Sequence, residues 1–271
     1  MKKFAQYLLA ASLGLGGTTA FADALTDAVK GEHRSADAKV RDEYRNPQQT
    51  LRFFGIQPDM TVVEIWPGGG WYADILAPML KEKGNYVAAH FFIDEESHDY
   101  YRKSLDGFKD KMEKADHYSD VTLTAFHPGK AHDIAEPGSA DAVLTFRNVH
   151  NWYMNGGKED TDKAFESFFK ALKPGGILGV VEHEMPESGN DAAMKDSGYM
   201  KRSVVMDAAK KAGFKLAESS DVNANPQDNA DHPRGVWTLP PRLALDEKDR
   251  EKYLTIGESN RMTLKFVKPK S

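Results

Sequence analysis

The sequence predicts an α/β protein built on a mostly parallel sheet. Three observations carry this reading. Short apolar runs alternate with helical repeats along the chain, the order that builds a parallel sheet. Within Thr61–Pro78, T-V-V-E-I-W-P-G-G-G-W-Y-A-D-I-L-A-P, the apolar period changes across a glycine turn, so a buried strand runs into a helix. Between the last two apolar runs, 214–219 and 262–267, no ordinary crossover helix is evident, and that pair departs from the alternation.

Residues 1–22 read as a cleavable export signal. Lys2 and Lys3 form a basic start, 7–15 is an apolar core too short to span a bilayer, and Ala20-Phe21-Ala22 matches the small-x-small cleavage pattern. The expected mature start is Asp23, and the expected location is periplasmic or secreted. No later stretch is apolar enough for a transmembrane helix. Residues 23–55 form an expected helical arm. Its 24–45 part is polar and reads as helix, and Asn46-Pro47 reads as a cap with proline at the first helical position. A short helix then runs to Gly55. The arm stands ready to fold over a ligand site, with Tyr44 and Arg45 as its contacts.

The main domain is expected over 56–271. Val62, Val63 and Ile65 make its first strand, and Trp71, Ile75, Leu76 and Leu80 repeat at helical spacing after it. Glycines in the turn let a ligand approach the backbone, and the N–H groups at the helix start face that ligand. Residues 86–93 form the second strand and 121–126 the third, with a charged surface helix over 95–114 between them. The fourth strand, 141–146, runs directly into the polar segment Arg147-Asn-Val-His-Asn-Trp152. Ligands of open α/β sheets bind at such strand ends. An amphipathic helix over 159–172 carries Phe165, Phe168 and Phe169 on one face. A fifth strand, 177–181, ends in Glu182-His183-Glu184, and a helix over 198–213 precedes the sixth strand. Residues 221–260 have few apolar positions and many turn residues. A loop of that length reads as an insertion or lid, with a helix within 243–257 and with Arg234, Trp237 and Arg242 as contacts.

The 271 residues carry a formal net charge of -5 without a dense basic run after the start, so nothing points to nucleic acid as a partner. There is no cysteine, which excludes disulfides, thiol catalysis and cysteine-bound metal. His90, His127, His132, His150 and His183 fall near predicted strand ends, but none sits in H-E-x-x-H or a comparable ligand spacing. No metal is assigned.

Two ligand classes use the glycine turn. Gly68, Gly70 and Ala73 satisfy the dinucleotide pattern G-x-G-x-x-G/A. Read from Glu64, the turn E-I-W-P-G-G-G resembles motif I of class I S-adenosylmethionine (SAM)-dependent methyltransferases, with Trp66 where the first glycine stands. Leu172-Lys-Pro-Gly-Gly176 is similar to that family's turn before strand five, and Ala212-Gly-Phe214 to its approach to strand six. The pairing of E-I-W-P-G-G-G-W-Y with R-N-V-H-N-W resembles a group of methyltransferases exported by bacteria. The resemblance implies a Rossmann-like sheet of seven strands, the last antiparallel, with helices on both faces. It implies methyl transfer from SAM to an acceptor that no motif names.

By position, the resemblance assigns Glu64 to the ribose hydroxyls and Gly68 and Gly70 to the methionine part. It assigns an acid after the second strand to the ribose as well, where His90 stands with Asp94 and Glu95 slightly later, and Asp94 is preferred. Asp133 would accept from the adenine amino group, and Arg147 and Asn148 would line the pocket behind the sulfonium. Trp66 and Trp152 offer aromatic faces to that cation or fill the core. Asp141, at a strand start, reads as a structural cap. If the acceptor must lose a proton, His150 is the residue placed to take it. A binding protein that keeps the fold without chemistry is the alternative. A nicotinamide-dependent oxidoreductase rests on the glycine spacing alone.

Overall fold

The computed structural model describes residues 24–270. The export signal expected over 1–22 lies outside the described residues.

The arm is helical in three pieces. They are residues 24–30 (α1), Ala36–Val40 (α2) and Asp42–Arg45 (α3). Sequence reasoning expected one helix over 24–45; instead the chain breaks at Gly31 and restarts where the Ser35 side chain accepts from the Ala38 N–H. Pro47–Phe54 (α4) follows, with proline in its first turn. Asn46 precedes it with a left-handed backbone and makes no side-chain cap; its amide donates to the Val222 carbonyl at 2.8 Å. The cap is therefore traded for a tie to the far end of the chain.

The sheet follows from strand composition. β1 (Thr61–Ile65), β2 (Asn85–Phe91), β3 (Thr122–Phe126), β4 (Ala140–Phe146) and β5 (Leu172–Met185) pair parallel in the order β3-β2-β1-β4-β5. A two-residue strand, Met200–Lys201 (β6), pairs off the main path with the end of β5. β7 (Lys215–Ser220) and β8 (Arg261–Val267) complete the sheet. β8 lies between β5 and β7 and is antiparallel to both. Without β6, seven strands of the described residues form the continuous sheet, and the last in sequence is inserted beside β5.

Helices cover both faces. α5 (Ala73–Leu80) and α6 (Asp99–Lys114) pack with α4 on one; α7 (Val149–Ala171) and α8 (Arg202–Ala212) pack on the other. Strand pleating sorts the core. Val62 joins the cluster with Leu51, Phe54 and Ile75, whereas Val63 and Ile65 join Phe165, Phe168 and Val205. β1 is thus apolar on both faces because it is central. α7 is longer than the amphipathic stretch predicts. It starts at Val149, inside the polar segment, and kinks at Gly157, whose φ of 65° and ψ of -153° are not helical.

The 221–260 region is not structureless. It carries a short 3-10 turn, Gly235–Thr238, and a helix, Arg250–Ile256 (α9). Buried Asp228 anchors it by accepting from Tyr199 Oη, the Asn260 N–H and the Ala230 N–H, and it pairs with His232. No helix of the described residues is long and apolar enough to cross a membrane.

Candidate active site

The carboxyl ends of β1, β4 and β5 open into a cavity of about 900 Å³. The glycine turn forms one wall, the arm another, and the segment around Trp237 and Arg242 a third. Glu64, Trp66, Gly68, Arg147, Asn148 and His150 all line it. Chain order separates these residues; the parallel sheet gathers them because each follows, or ends, a strand that points the same way.

The glycine turn has two kinds of glycine. Gly70 has φ +82°, and a Cβ there would stand 3.1 Å from the Phe108 ring, so its glycine is required by the protein itself. At Gly68 and Gly69 a Cβ would meet nothing within 4 Å. These two present bare backbone to open space, as a cradle for a ligand does. His90 braces the turn from below. Its Nδ1 accepts from the Phe91 N–H, so the proton sits on Nε2, 3.0 Å from the Gly68 carbonyl. Burial pulls this imidazole down to about 4, which keeps it neutral.

Trp66 has φ +48°, the left-handed region that favours glycine. The motif position that asks for glycine is therefore real, and this chain fills it with tryptophan. The ring packs against Phe91, Phe126 and Trp152, and Nε1 donates to the Phe126 carbonyl at 2.9 Å. Trp152 is buried in the same aromatic cluster and is a core residue.

Glu64 is buried and accepts from Tyr86 Oη at 2.6 Å. Burial pushes its carboxyl up to about 8, against the Tyr86 hydrogen bond, which favours the charged form. Asn148 spends its Nδ2 on the Ile65 carbonyl and Thr145 Oγ1, tying the ends of β1 and β4 together. Its amide oxygen has no partner among the described residues.

Three expected residues are not brought to this cavity: Gly70, which packs against Phe108, and two acids. Asp94 lies in a smaller neighbouring cavity of about 270 Å³, where it pairs with Lys130 at 2.6 Å and accepts from Ser97. Lys130 holds the Asp94 carboxyl down to about 2. Asp133 is on the surface, paired with Lys170 at 2.7 Å with 82% of its side chain exposed. In both cases a nearby lysine competes for the carboxylate, and neither lysine is near in sequence. Asp141 takes the cap role expected of it, accepting from the Thr61 N–H and from Lys173. Of the expected lid and arm contacts, Trp237, Arg242 and Arg45 line the cavity, while Arg234 and Tyr44 do not.

His150 is held by a residue that sequence reasoning passed over. Glu182, at the end of β5, accepts from His150 Nδ1 at 2.8 Å and from the N–H groups of Val149, His150 and His183. A carboxylate only accepts, so Nδ1 carries the proton and Nε2 is left as a base. Nε2 has no partner among the described residues, and the ring borders the cavity. His183 stands beside it with ring centroids 5.2 Å apart; burial holds it well below the usual histidine range. His150, Glu182 and His183 bring ligand atoms within 4.8 Å of one another. Glu182 already serves four N–H donors, so the trio reads as an orienting network. Glu184, two residues after Glu182, is not part of this trio and pairs with Arg202.

Solved structures match the chain over most of its length. A SAM-dependent methyltransferase from Aquifex aeolicus aligns with a TM-score of 0.55 and 15% identity, over 90% of this chain and 98% of that one. The chain has the class I methyltransferase fold. A phosphoethanolamine N-methyltransferase of Haemonchus contortus, solved with S-adenosyl-L-methionine, aligns at 0.52 and 19% identity, over 83% of this chain and 53% of that one. The 4+2 cyclase SpnF aligns as well, at 0.57 and 16% identity, over 94% and 95%. One fold therefore carries more than one chemistry. No family model and no curated protein matches the sequence.

Proposed function

We propose that this protein is a SAM-dependent methyltransferase. The observation that carries the proposal is the bare glycine cradle at Gly68 and Gly69, set at the end of β1 in a sheet whose last strand is reversed beside β5. A cofactor laid on that cradle has Glu64 beside it for the ribose hydroxyls and the Trp66 edge of the cavity for its apolar parts. Beyond it lies His150, aimed by Glu182. Methyl transfer is a direct displacement: the acceptor's lone pair forms the new bond to the methyl carbon as the carbon–sulfur bond breaks. The protein's work is alignment, and His150 Nε2 takes the proton that a hydroxyl or amine acceptor must lose.

The nicotinamide reading rests on the glycine spacing alone and does not account for the reversed last strand beside β5. We further place the chain with exported bacterial methyltransferases, on its E-I-W-P-G-G-G-W-Y and R-N-V-H-N-W segments. A fold-retaining binding protein without chemistry remains the second reading, because a protein outside the cytoplasm needs a supply of a cytoplasmic cofactor. Calorimetric titration of the protein with SAM, its demethylated product and NAD is the test. Uptake of the first two and not the third is expected. No uptake of SAM would end the methyltransferase reading.

A further inference from the structure

The wall of the cavity opposite the glycine cradle is crowded with arginine. Glu258, just before β8, is buried and accepts from Arg41 Nε at 2.7 Å, Arg45 Nε at 3.2 Å and Arg261 at 3.2 Å. Arg147, after β4, is a fourth guanidinium in reach of the same carboxylate's field. Four cations share Glu258, and the Glu182 carboxylate is a second anion whose field reaches Arg147, so this wall carries a surplus of two positive charges. Arginine cannot shed its proton to relieve the surplus.

Two of the four are incompletely satisfied. The Arg147 side chain lines the cavity without a hydrogen bond or ion pair among the described residues. Its backbone also sits at φ +62°, a conformation that costs energy for a residue with a Cβ. Nη2 of Arg41 is buried with no partner. A buried guanidinium nitrogen without an acceptor is destabilising unless something supplies one, and a half-buried Arg147 facing the cavity is free to bind a ligand. Burial and the mutual repulsion of these arginines both weaken the hold of Arg45 on its proton, with Glu258 alone opposing them. SAM does not correct the imbalance. It carries a sulfonium, an ammonium and one carboxylate, a net positive charge.

We propose that this wall is an oxyanion subsite and that the methyl acceptor carries a carboxylate or phosphate group held by Arg147 and Arg41. This rests on the methyltransferase reading for the word acceptor; the anion site itself rests on the charges alone. A planar guanidinium matches either oxyanion with two parallel hydrogen bonds. The group would anchor the acceptor on the same cavity that His150 borders. It would also offset the repulsion between the arginines and the cofactor, so acceptor and cofactor should favour each other's binding.

The test uses the full chain and inorganic phosphate as the probe, titrated at fixed ionic strength into free protein and into protein saturated with SAM. Wild type, Arg147→Gln and Arg41→Gln are compared, and thermal melts confirm that each variant is folded. Phosphate is expected to bind saturably with SAM in place. Its affinity should fall by roughly tenfold in either variant, the loss of a charge-assisted pair, and in Arg41→Gln, outside the assigned cofactor contacts, SAM affinity should move far less. The cofactor's own carboxylate is the other possible source of the anion. If phosphate and SAM exclude each other, and decarboxylated SAM does not compete with phosphate, the wall serves the cofactor and the proposal is overturned. Absence of phosphate uptake, or uptake equal in wild type and both variants, overturns it too. Phosphate uptake that depends on Arg147 in a protein that takes up no SAM leaves the anion site standing and removes the methyltransferase reading instead.

Discussion

At the scale of single residues, the site depends on groups whose behaviour is set by where they are buried. Glu64 is the clearest case. Its carboxyl lies at about 8 in the folded chain against an ordinary 4.5. Between those values the folded state holds a proton that the unfolded chain has lost, so stability falls as pH rises through that window. The slope from this one group is at most about 1.4 kcal/mol per pH unit. Glu64→Gln should abolish it. Melting temperatures of wild type and variant should therefore diverge from about pH 5 to about pH 8, with the wild type losing ground, and parallel curves would contradict the assignment. Trp66 shows a different balance. A left-handed backbone costs a non-glycine residue on the order of 1–2 kcal/mol. Burying an indole in an aromatic cluster is worth more, roughly 3–5 kcal/mol when removed, so the strain is tolerated. In the proposed reaction His150 is the residue that takes the acceptor's proton. Its replacement by glutamine should leave SAM affinity near wild type while turnover drops by roughly a hundredfold. Single-turnover and binding measurements on the same preparation separate the two. A joint fall in melting temperature and SAM affinity would mean that the Glu182 contact serves only to hold α7 in place.

At the scale of elements, the glycine turn is the best place to separate folding from binding. Gly70 tests nothing cleanly, because its positive φ and the Phe108 contact make any side chain there a structural defect. Gly69 is different: no left-handed φ is required of it, and a Cβ would meet nothing within 4 Å. Gly69→Val should therefore melt like wild type and bind SAM tenfold or more weakly, about 1.4 kcal/mol. Calorimetry beside a thermal melt checks both halves. A valine that leaves affinity untouched would move the ligand off the cradle. The arm is the other functional element. It reaches the site through Arg41 and Arg45, and both are held by Glu258 from the opposite end of the chain. Closing the cavity thus links the first helices to the strand that the fold reverses.

At the scale of the whole molecule, the sheet brings the carboxyl ends of β1, β4 and β5, the residues just before β8 and the arm to one cavity. The proposed export belongs to the whole-chain scale as well. The basic start, apolar core and Ala20-Phe21-Ala22 lead to the expectation that native protein begins at Asp23 and fractionates outside the cytoplasm. N-terminal sequencing of protein from fractionated cells checks it, and an intact Met1 in the cytosol would refute it.

Period and punctuation were enough to read the strands and the glycine turn, because a buried strand and an amphipathic helix announce themselves in adjacent residues. That is why Thr61–Ile65, Ala140–Phe146 and the clustering of Glu64, Gly68, Arg147 and His150 at strand ends were legible. The 24–45 arm was less so, since short polar helices are set by local caps and by what they pack against. What only the tertiary structure decided is which charges meet. Asp94 and Asp133 looked like ligands until Lys130 and Lys170 arrived from elsewhere in the chain. Glu182 and Glu258 looked ordinary until the sheet set one under His150 and the other among four arginines. A charge's role follows from its distance to its neighbours and from its burial, and both are properties of the fold, which no window of sequence contains.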